Sequence, residues 1–390
     1  MARLLKWSLR TLVILVLLAG AIAIWKKDEI ARLLAVNSLF DEDRIVSNFS
    51  TMDKLFWTSP LYRGAGPVSP LPLGPEITLP EGAATWLKER GVTAMVVLKD
   101  GQIRHQSYHQ GTAAEDRRIS WSMAKSFLSA LLGIVLEDGA IDSLEDPVTK
   151  YAPSLIGSAY DGARILDVLH MASGVEFNED YLDFNSDINK MGRVLALGGS
   201  MDEFTAGLIK RRAKPGAEWH YVSIDTHVIG MVIRGATGQS IHDLMTAKLI
   251  EPLGLEQTPL LITDGVGVGF VLGGLNMRTR DFARFGQMVA QGGVWQGQRI
   301  LPEGWVERST TFTAPTAPDE EKYALQWWGP ADARPGEFYA IGVYGQYIYI
   351  NRPAAVVITL NSADRNFLDD GVNQQNIAMF RQITDQLSKD

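Results

Sequence analysis

In the stretch ISWSMAKSFLSALLGIVLEDGAI, Ile119 to Ile141, a serine and a lysine stand three residues apart at the head of an otherwise apolar segment. At helical spacing Ser122 and Lys125 share one face, so hydroxyl and amine can meet. A serine hydroxyl becomes a useful nucleophile only when a base takes its proton, and a lysine in a low-dielectric cleft has its pKa lowered enough to be that base. The N–H groups at a helix start can hold a developing oxyanion. S-x-x-K alone is weak, since a chance match is expected about once in a chain of this size. The plainer alternative is a first-turn serine beside a snorkelling lysine.

Two further groups narrow the reading. In KPGAEWHYVSIDTHVIG, Tyr221 and Ser223 stand as Y-x-S just before a helical pattern, behind a Pro215-Gly216 turn. A phenol beside a lysine ammonium is expected to ionise more easily and to shuttle a proton between nucleophile and leaving group. In FYAIGVYGQYIYI, Gly342 ends a strand pattern and lets backbone approach a ligand closely. Other constellations fail. The six histidines are scattered and no G-x-S-x-G elbow exists, so a Ser-His-Asp triad is not supported. His105 and His109 read as strand residues rather than zinc ligands. His220 reads as structural, and Trp327 and Trp328 as core or cleft wall. The run Gly265 to Gly274 lacks the strand-to-helix context of a phosphate loop. With no cysteine, thiol nucleophiles and disulfides are absent, and neither metal nor cofactor is expected.

These groups must be positioned by a large scaffold. The 390 residues, 46% hydrophobic with 17 prolines, exceed what one core usually holds and predict two closely packed subdomains. The net charge of −8 is spread over 37 basic and 45 acidic residues without a basic block, so nucleic acid is not an expected partner. The segment TAMVVLKDGQIRHQSYHQG predicts a hairpin about Asp100-Gly101. Helices are predicted next, at the nucleophile segment and over 165–171, 201–211, 226–237 and 240–249. Strands return over 321–362, and a last helix over 372–387. Strands at both ends with a helical middle imply one sheet built from distant parts, with an inserted all-α lobe.

At the N-terminus Arg3, Lys6 and Arg10 precede TLVILVLLAGAIAIW, and counting from Leu4 gives about 20 residues able to span a bilayer with the basic end inside. Residues 1–25 read as an uncleaved membrane anchor, with a signal peptide cut near Ala23 as the alternative. The remainder would then be exported. Residues 26–80 read as a membrane-proximal extension ending in a proline-rich linker, and 81–390 as the main domain.

From about Pro80 onward the chain resembles the serine beta-lactamase-related hydrolases, which include class C beta-lactamases, DD-peptidases, family VIII esterases and 6-aminohexanoate-dimer hydrolases. Besides the three motifs in family order, the matching segments are LEDPVTKYAPSL, ILDVLHMASGV, EPLGLEQT and GGLNMRTRDFARFGQMVAQGGVWQGQRILPEGWV. The resemblance implies an α/β (α+β) beta-lactamase/transpeptidase-like fold, an antiparallel sheet with helices on both faces beside the all-α lobe. It makes Ser122 the acylated nucleophile, Lys125 its base and Tyr221 the proton relay. The N–H groups of Ser122 and Val343 become the oxyanion hole.

Two departures matter. Ala340-Ile341-Gly342 stands where beta-lactamases carry Lys-Thr-Gly, and Ser223 replaces the usual asparagine of the Y-x-N motif. Both resemble the 6-aminohexanoate-dimer hydrolase and esterase branch, in which substrate contacts come from the loop after MASGV. Here that loop is EFNEDYLDFNSDINK, making Tyr181, Asp183 and Asp187 candidates to meet a polar or cationic substrate end. Ester or amide hydrolysis through a Ser122 acyl-enzyme is the expectation, with short-chain esters and linear amides preferred to beta-lactams. The alternatives are a D-amino-acid peptidase or weak beta-lactamase acting on cell-wall-type substrates, and a membrane-tethered binding protein without turnover.

Overall fold

The computed structural model describes residues 2–389. Its main sheet has seven strands, all pairs antiparallel, in the spatial order Gln102–Tyr108, Val92–Lys99, Val356–Ser362, Gln346–Asn351, Glu337–Gly342, Trp328–Gly329 and Lys322–Tyr323. The predicted hairpin closes through Asp100 (φ 53°) and Gly101 (φ 76°), the left-handed pair that a two-residue turn requires. Side chains alternate across the sheet as the pleat demands. Val96, Leu98, Ile348 and Ile350 face one core, whereas Met95, Val97, Tyr347 and Tyr349 face the other.

Helices cover both faces. Val372–Leu387 occupies the range predicted for the last helix and sets Ile377, Phe380 and Ile383 on one face beside Trp86 of Ala83–Glu89. Thr279–Ala290, not anticipated as a helix, lies on the other face. There a Cβ on Gly286 would stand 2.7 Å from both Ile348 and Val357, so glycine permits that close approach.

The nucleophile segment forms a short 3-10 turn, Trp121–Met123, followed by the helix Ala124–Glu137. Every residue from Ala124 to Val135 is buried, as expected for a helix apolar all round. Its inward serines are satisfied: Ser126 donates to the Gln326 carbonyl at 2.7 Å and Ser129 to that of Leu325 at 2.8 Å. Ser223–Thr237 packs against it from the α lobe, which also holds Ile165–Leu169, Asp187–Leu197 and Met201–Ala206. The helix expected over 240–249 is broken, with Ile241–Met245 passing into a π-helical turn, Thr246–Ile250, ahead of Pro252.

The N-terminal 80 residues differ most from expectation. Ala2–Trp25 is one helix with a span, Lys6–Trp25, long and apolar enough to cross a membrane and unburied by the rest of the chain. A signal sequence has the same length and composition. The following residues are no free tether. Lys27–Asn37 packs on Asp187–Leu197, and Leu39, Ile45, Phe49, Met52 and Leu61 are buried in the main core. Thr58–Pro60 pairs with Leu260–Ile262 at the edge of a second sheet, completed by Leu275–Arg278 and Arg117–Ile119.

Candidate active site

The Lys125 ammonium lies 2.9 Å from Ser122 Oγ, 2.8 Å from the Leu272 carbonyl and 3.4 Å from Ser223 Oγ, and is 2% exposed. The 3-10 turn and the first helical turn bring the two side chains onto one face, as their spacing required. Burial pulls the Lys125 pKa down to about 7, against the upward pull of Glu179 and Asp225. A lysine in this range offers a lone pair at neutral pH, whereas an ordinary one does not.

Tyr221 sits with its ring 5.4 Å from Lys125 Nζ and 5.4 Å from the Trp328 ring. Its hydroxyl is within hydrogen-bonding reach of the Ser122 and Ser223 hydroxyls. The expected easier ionisation does not occur. Burial, reinforced by Glu179, holds the phenol above its ordinary range, so Tyr221 stays neutral and can pass a proton only by receiving another. Behind it, Asp225 is fully buried and accepts from Tyr160 and Ser173, each at 2.8 Å. Burial pushes Asp225 up to about 8, so at neutral pH it is largely protonated and its pull on Lys125 is weak.

Glu179 is the residue that sequence reasoning missed. Its carboxylate accepts from the Ser223 backbone N–H at 3.0 Å, from the Ser223 hydroxyl, and from the Tyr181 hydroxyl at 2.8 Å. One carboxylate therefore fixes the start of the Ser223–Thr237 helix to the loop after MASGV. The only signal was an acid at that position in a loop rich in acids.

Two strained residues flank the presumptive oxyanion donors. Trp121, before Ser122, has φ 41°, and Tyr344, after Val343, has φ 61°. Left-handed conformations at bulky residues persist only when their surroundings hold them. Here Phe40 stacks on Tyr344 at 4.6 Å and lies 5.8 Å from Trp121, while Phe49 sits 5.6 Å from each. The N-terminal segment thus clamps both turns. Between them, a Cβ on Gly342 would stand 2.5 Å from the Ser120 carbonyl and 3.0 Å from the Ser122 nitrogen, so the strand passes directly over the nucleophile turn.

The other sequence candidates divide. Tyr181 and Val343 line the same pocket as Ser122 and Ser223. Asp183 and Asp187 do not. Asp183 accepts from the Asn185 N–H at 2.8 Å on the exposed loop, and Asp187 accepts from Asn178 at 3.0 Å and Lys190 at 2.9 Å in the first turn of its helix. They shape the loop and the helix start, the acidic surface that local charge alone suggested. Of the paired tryptophans, Trp327 is buried core and Trp328, half-buried, packs on the Tyr221 ring without lining the Ser122 pocket. The glycine-rich run forms wall: Phe270, Leu272 and Gly273 border the pocket. Among the described residues no group of histidines and acids is arranged to hold a metal ion.

An antiparallel sheet between helical layers, with serine, lysine and tyrosine gathered where its edge meets the α lobe, is the beta-lactamase/transpeptidase-like fold. The Beta-lactamase family model matches residues 85–378, and the chain belongs to that family, whose members are serine hydrolases. The 6-aminohexanoate-dimer hydrolase of Paenarthrobacter ureafaciens is 30% identical over 291 residues, covering 71% of this chain and 74% of its own. A Bacillus anthracis structure provisionally described as a 6-aminohexanoate-dimer hydrolase superposes with a TM-score of 0.80 at 22% identity, over 90% of this chain and 96% of its own. A D-stereospecific amidohydrolase from Streptomyces sp. has the same fold, with a TM-score of 0.56 at 18% identity, over 74% and 99% of the two chains.

Proposed function

We propose that the protein hydrolyses ester or amide bonds through an acyl-enzyme on Ser122, in the manner of the 6-aminohexanoate-dimer hydrolase and esterase branch. The observation that carries this reading is a fully buried Lys125 with a pKa near 7 whose amine lies 2.9 Å from Ser122 Oγ. Neutral Lys125 takes the hydroxyl proton as Oγ bonds to the substrate carbonyl carbon. The N–H groups of Ser122 and Val343 hold the resulting oxyanion. Tyr221 hands its proton to the departing alcohol or amine and is resupplied from Lys125, which breaks the ester or amide bond. Water, deprotonated through the same pair, then attacks the acyl carbon and frees Ser122.

Ser223 and Glu179 hold this relay in place, and Tyr181 borders the substrate. No metal or cofactor is needed for these steps. In this reading Ala2–Trp25 is retained as an anchor and the catalytic domain lies outside the cytoplasm. Fluorophosphonate treatment followed by peptide mass spectrometry should place one adduct on Ser122. An adduct that persists in Ser122→Ala would overturn the assignment. Lys125→Ala and Tyr221→Phe should each lower kcat by a factor on the order of 10³, and the double variant little more, because groups acting as one unit are not additive. Multiplicative losses would mean that the two do not share a proton.

A further inference from the structure

The pocket at Ser122 is apolar, and part of its wall comes from outside the segment matched by the family. Val36, Leu39, Phe40 and Met52 of the N-terminal extension face Met191 and Leu195 of the Asp187–Leu197 helix. Its polar lining atoms are few, and it encloses about 120 Å³. An apolar cavity of about 150 Å³ suffices for one benzene ring. Tyr221, the proton donor to the leaving group, does not line this pocket, whereas Ser122 and Val343 do. The pocket is therefore on the acyl side of the scissile bond.

The elements that wall it also carry exposed apolar side chains. Leu182 and Phe184 follow Tyr181, Leu197 follows Leu195, and Leu34 precedes Val36; they are 84%, 62%, 52% and 62% exposed. Ile30, one turn before Leu34, continues that stripe along Lys27–Asn37. The first helix ends at Trp25 and the chain breaks from helical geometry at Lys26 (φ −100°, ψ 14°) before the second helix begins. At 1.5 Å per residue, Val36 is only about 16 Å along the chain from the end of the apolar span. The wall of the pocket is thus joined to the membrane-crossing candidate by three turns of helix.

We propose that this pocket selects substrates carrying a slender aliphatic acyl chain, drawn from the bilayer in which the first helix is anchored. The proposal rests on the Ser122 acyl-enzyme above and names its substrate class. A charged acyl group is disfavoured by the apolar lining of the pocket. A linear chain displaces no ordered polar partner and gains from every methylene it buries. On this proposal a lipid with its chain in the membrane passes these exposed apolar side chains on its way to Ser122. Because the wall begins at Val36, the chain-length preference holds whether or not the first helix is retained. Delivery from the bilayer requires it.

The test is kcat/KM of the full chain for p-nitrophenyl acetate, butyrate, octanoate and palmitate. Between acetate and octanoate we expect a rise of about 10- to 100-fold, less than full burial of every added methylene would give. Leu195→Trp and Met191→Trp, each of which fills the pocket, should return the preference towards acetate. An acetate rate equal to or above that for octanoate in the unaltered protein overturns the proposal, and needs no variant to fold. A Ser122 adduct with a flat chain-length profile sinks this inference alone. Absence of both adduct and turnover sinks the hydrolase reading beneath it. With the protein in nanodiscs, a fluorogenic octanoyl ester of a lipid placed in the same disc should be cleaved faster than one in separate vesicles. Equal rates would overturn delivery from the bilayer and assign the pocket to soluble amphiphiles.

Discussion

Lys125 owes its chemistry to where it is buried, and the pH dependence of the reaction should report it. Below about pH 7 it carries a proton and cannot accept another, so kcat/KM should climb with pH through about 7 and level off above. Glu179 opposes the depression by favouring the charged ammonium. Glu179→Gln should therefore move the ascending limb to lower pH while lowering the plateau about tenfold, since the amide keeps only one of the two acceptor oxygens that Ser223 and Tyr181 use. A plateau loss with an unmoved limb would mean that Glu179 acts only as a brace. The proposed nucleophile, base and proton relay, which the structure brings together, were readable in the sequence because their types and spacing are dictated by chemistry. Glu179 was not, because a carboxylate among Asp180, Asp183 and Asp187 differs from its neighbours only in what the fold places opposite it.

The strand Glu337–Gly342 carries the late motif, and two of its positions give separate tests. Gly342→Ala should lower kcat more than about 100-fold with the fold intact, because a methyl there meets the Ser120 carbonyl and presses on the Ser122 nitrogen. Circular dichroism alongside kcat separates this from unfolding. Ala340, two residues earlier, is buried in the core, and Arg278, an example of a basic side chain from elsewhere that could restore the missing contact, is tied to Glu256 at 3.3 Å. Without that charge-assisted contact, beta-lactams should bind productively about tenfold to a hundredfold less well, and p-nitrophenyl butyrate should exceed nitrocefin in kcat/KM. Nitrocefin turning over as fast would mean that another donor grips its carboxylate.

Legibility at this scale followed contrast. The 92–108 hairpin and the last helix announced themselves through a turn pair and a long amphipathic run. Asp187–Leu197 read as loop because its polar start concealed Ile188, Met191 and Leu195, which share one face and complete the pocket.

Across the whole molecule the N-terminal extension belongs with the catalytic machinery. Sequence patterning could not reveal this, since Leu39, Phe40, Phe49 and Met52 have no local period and acquire meaning only against residues up to 300 positions away. Phe40→Ala should cost about 1–3 kcal/mol of stability, seen as a lower Tm, and should lower kcat about tenfold by loosening Trp121 and Tyr344. A fall in Tm with kcat unchanged would show that the clamp is structural only.

The same clamp also sets a schedule. Phe40 is synthesised long before Tyr344, and Ser122, made between them, waits for the strand that ends at Gly342. Contacts of such separation form late. A growing chain halted before residue 337 should therefore take up no phosphonate on Ser122, even with its serine and lysine already made, whereas one halted after residue 387 should react. On the proposed function, hydrolysis would be withheld during synthesis by the order of the chain itself.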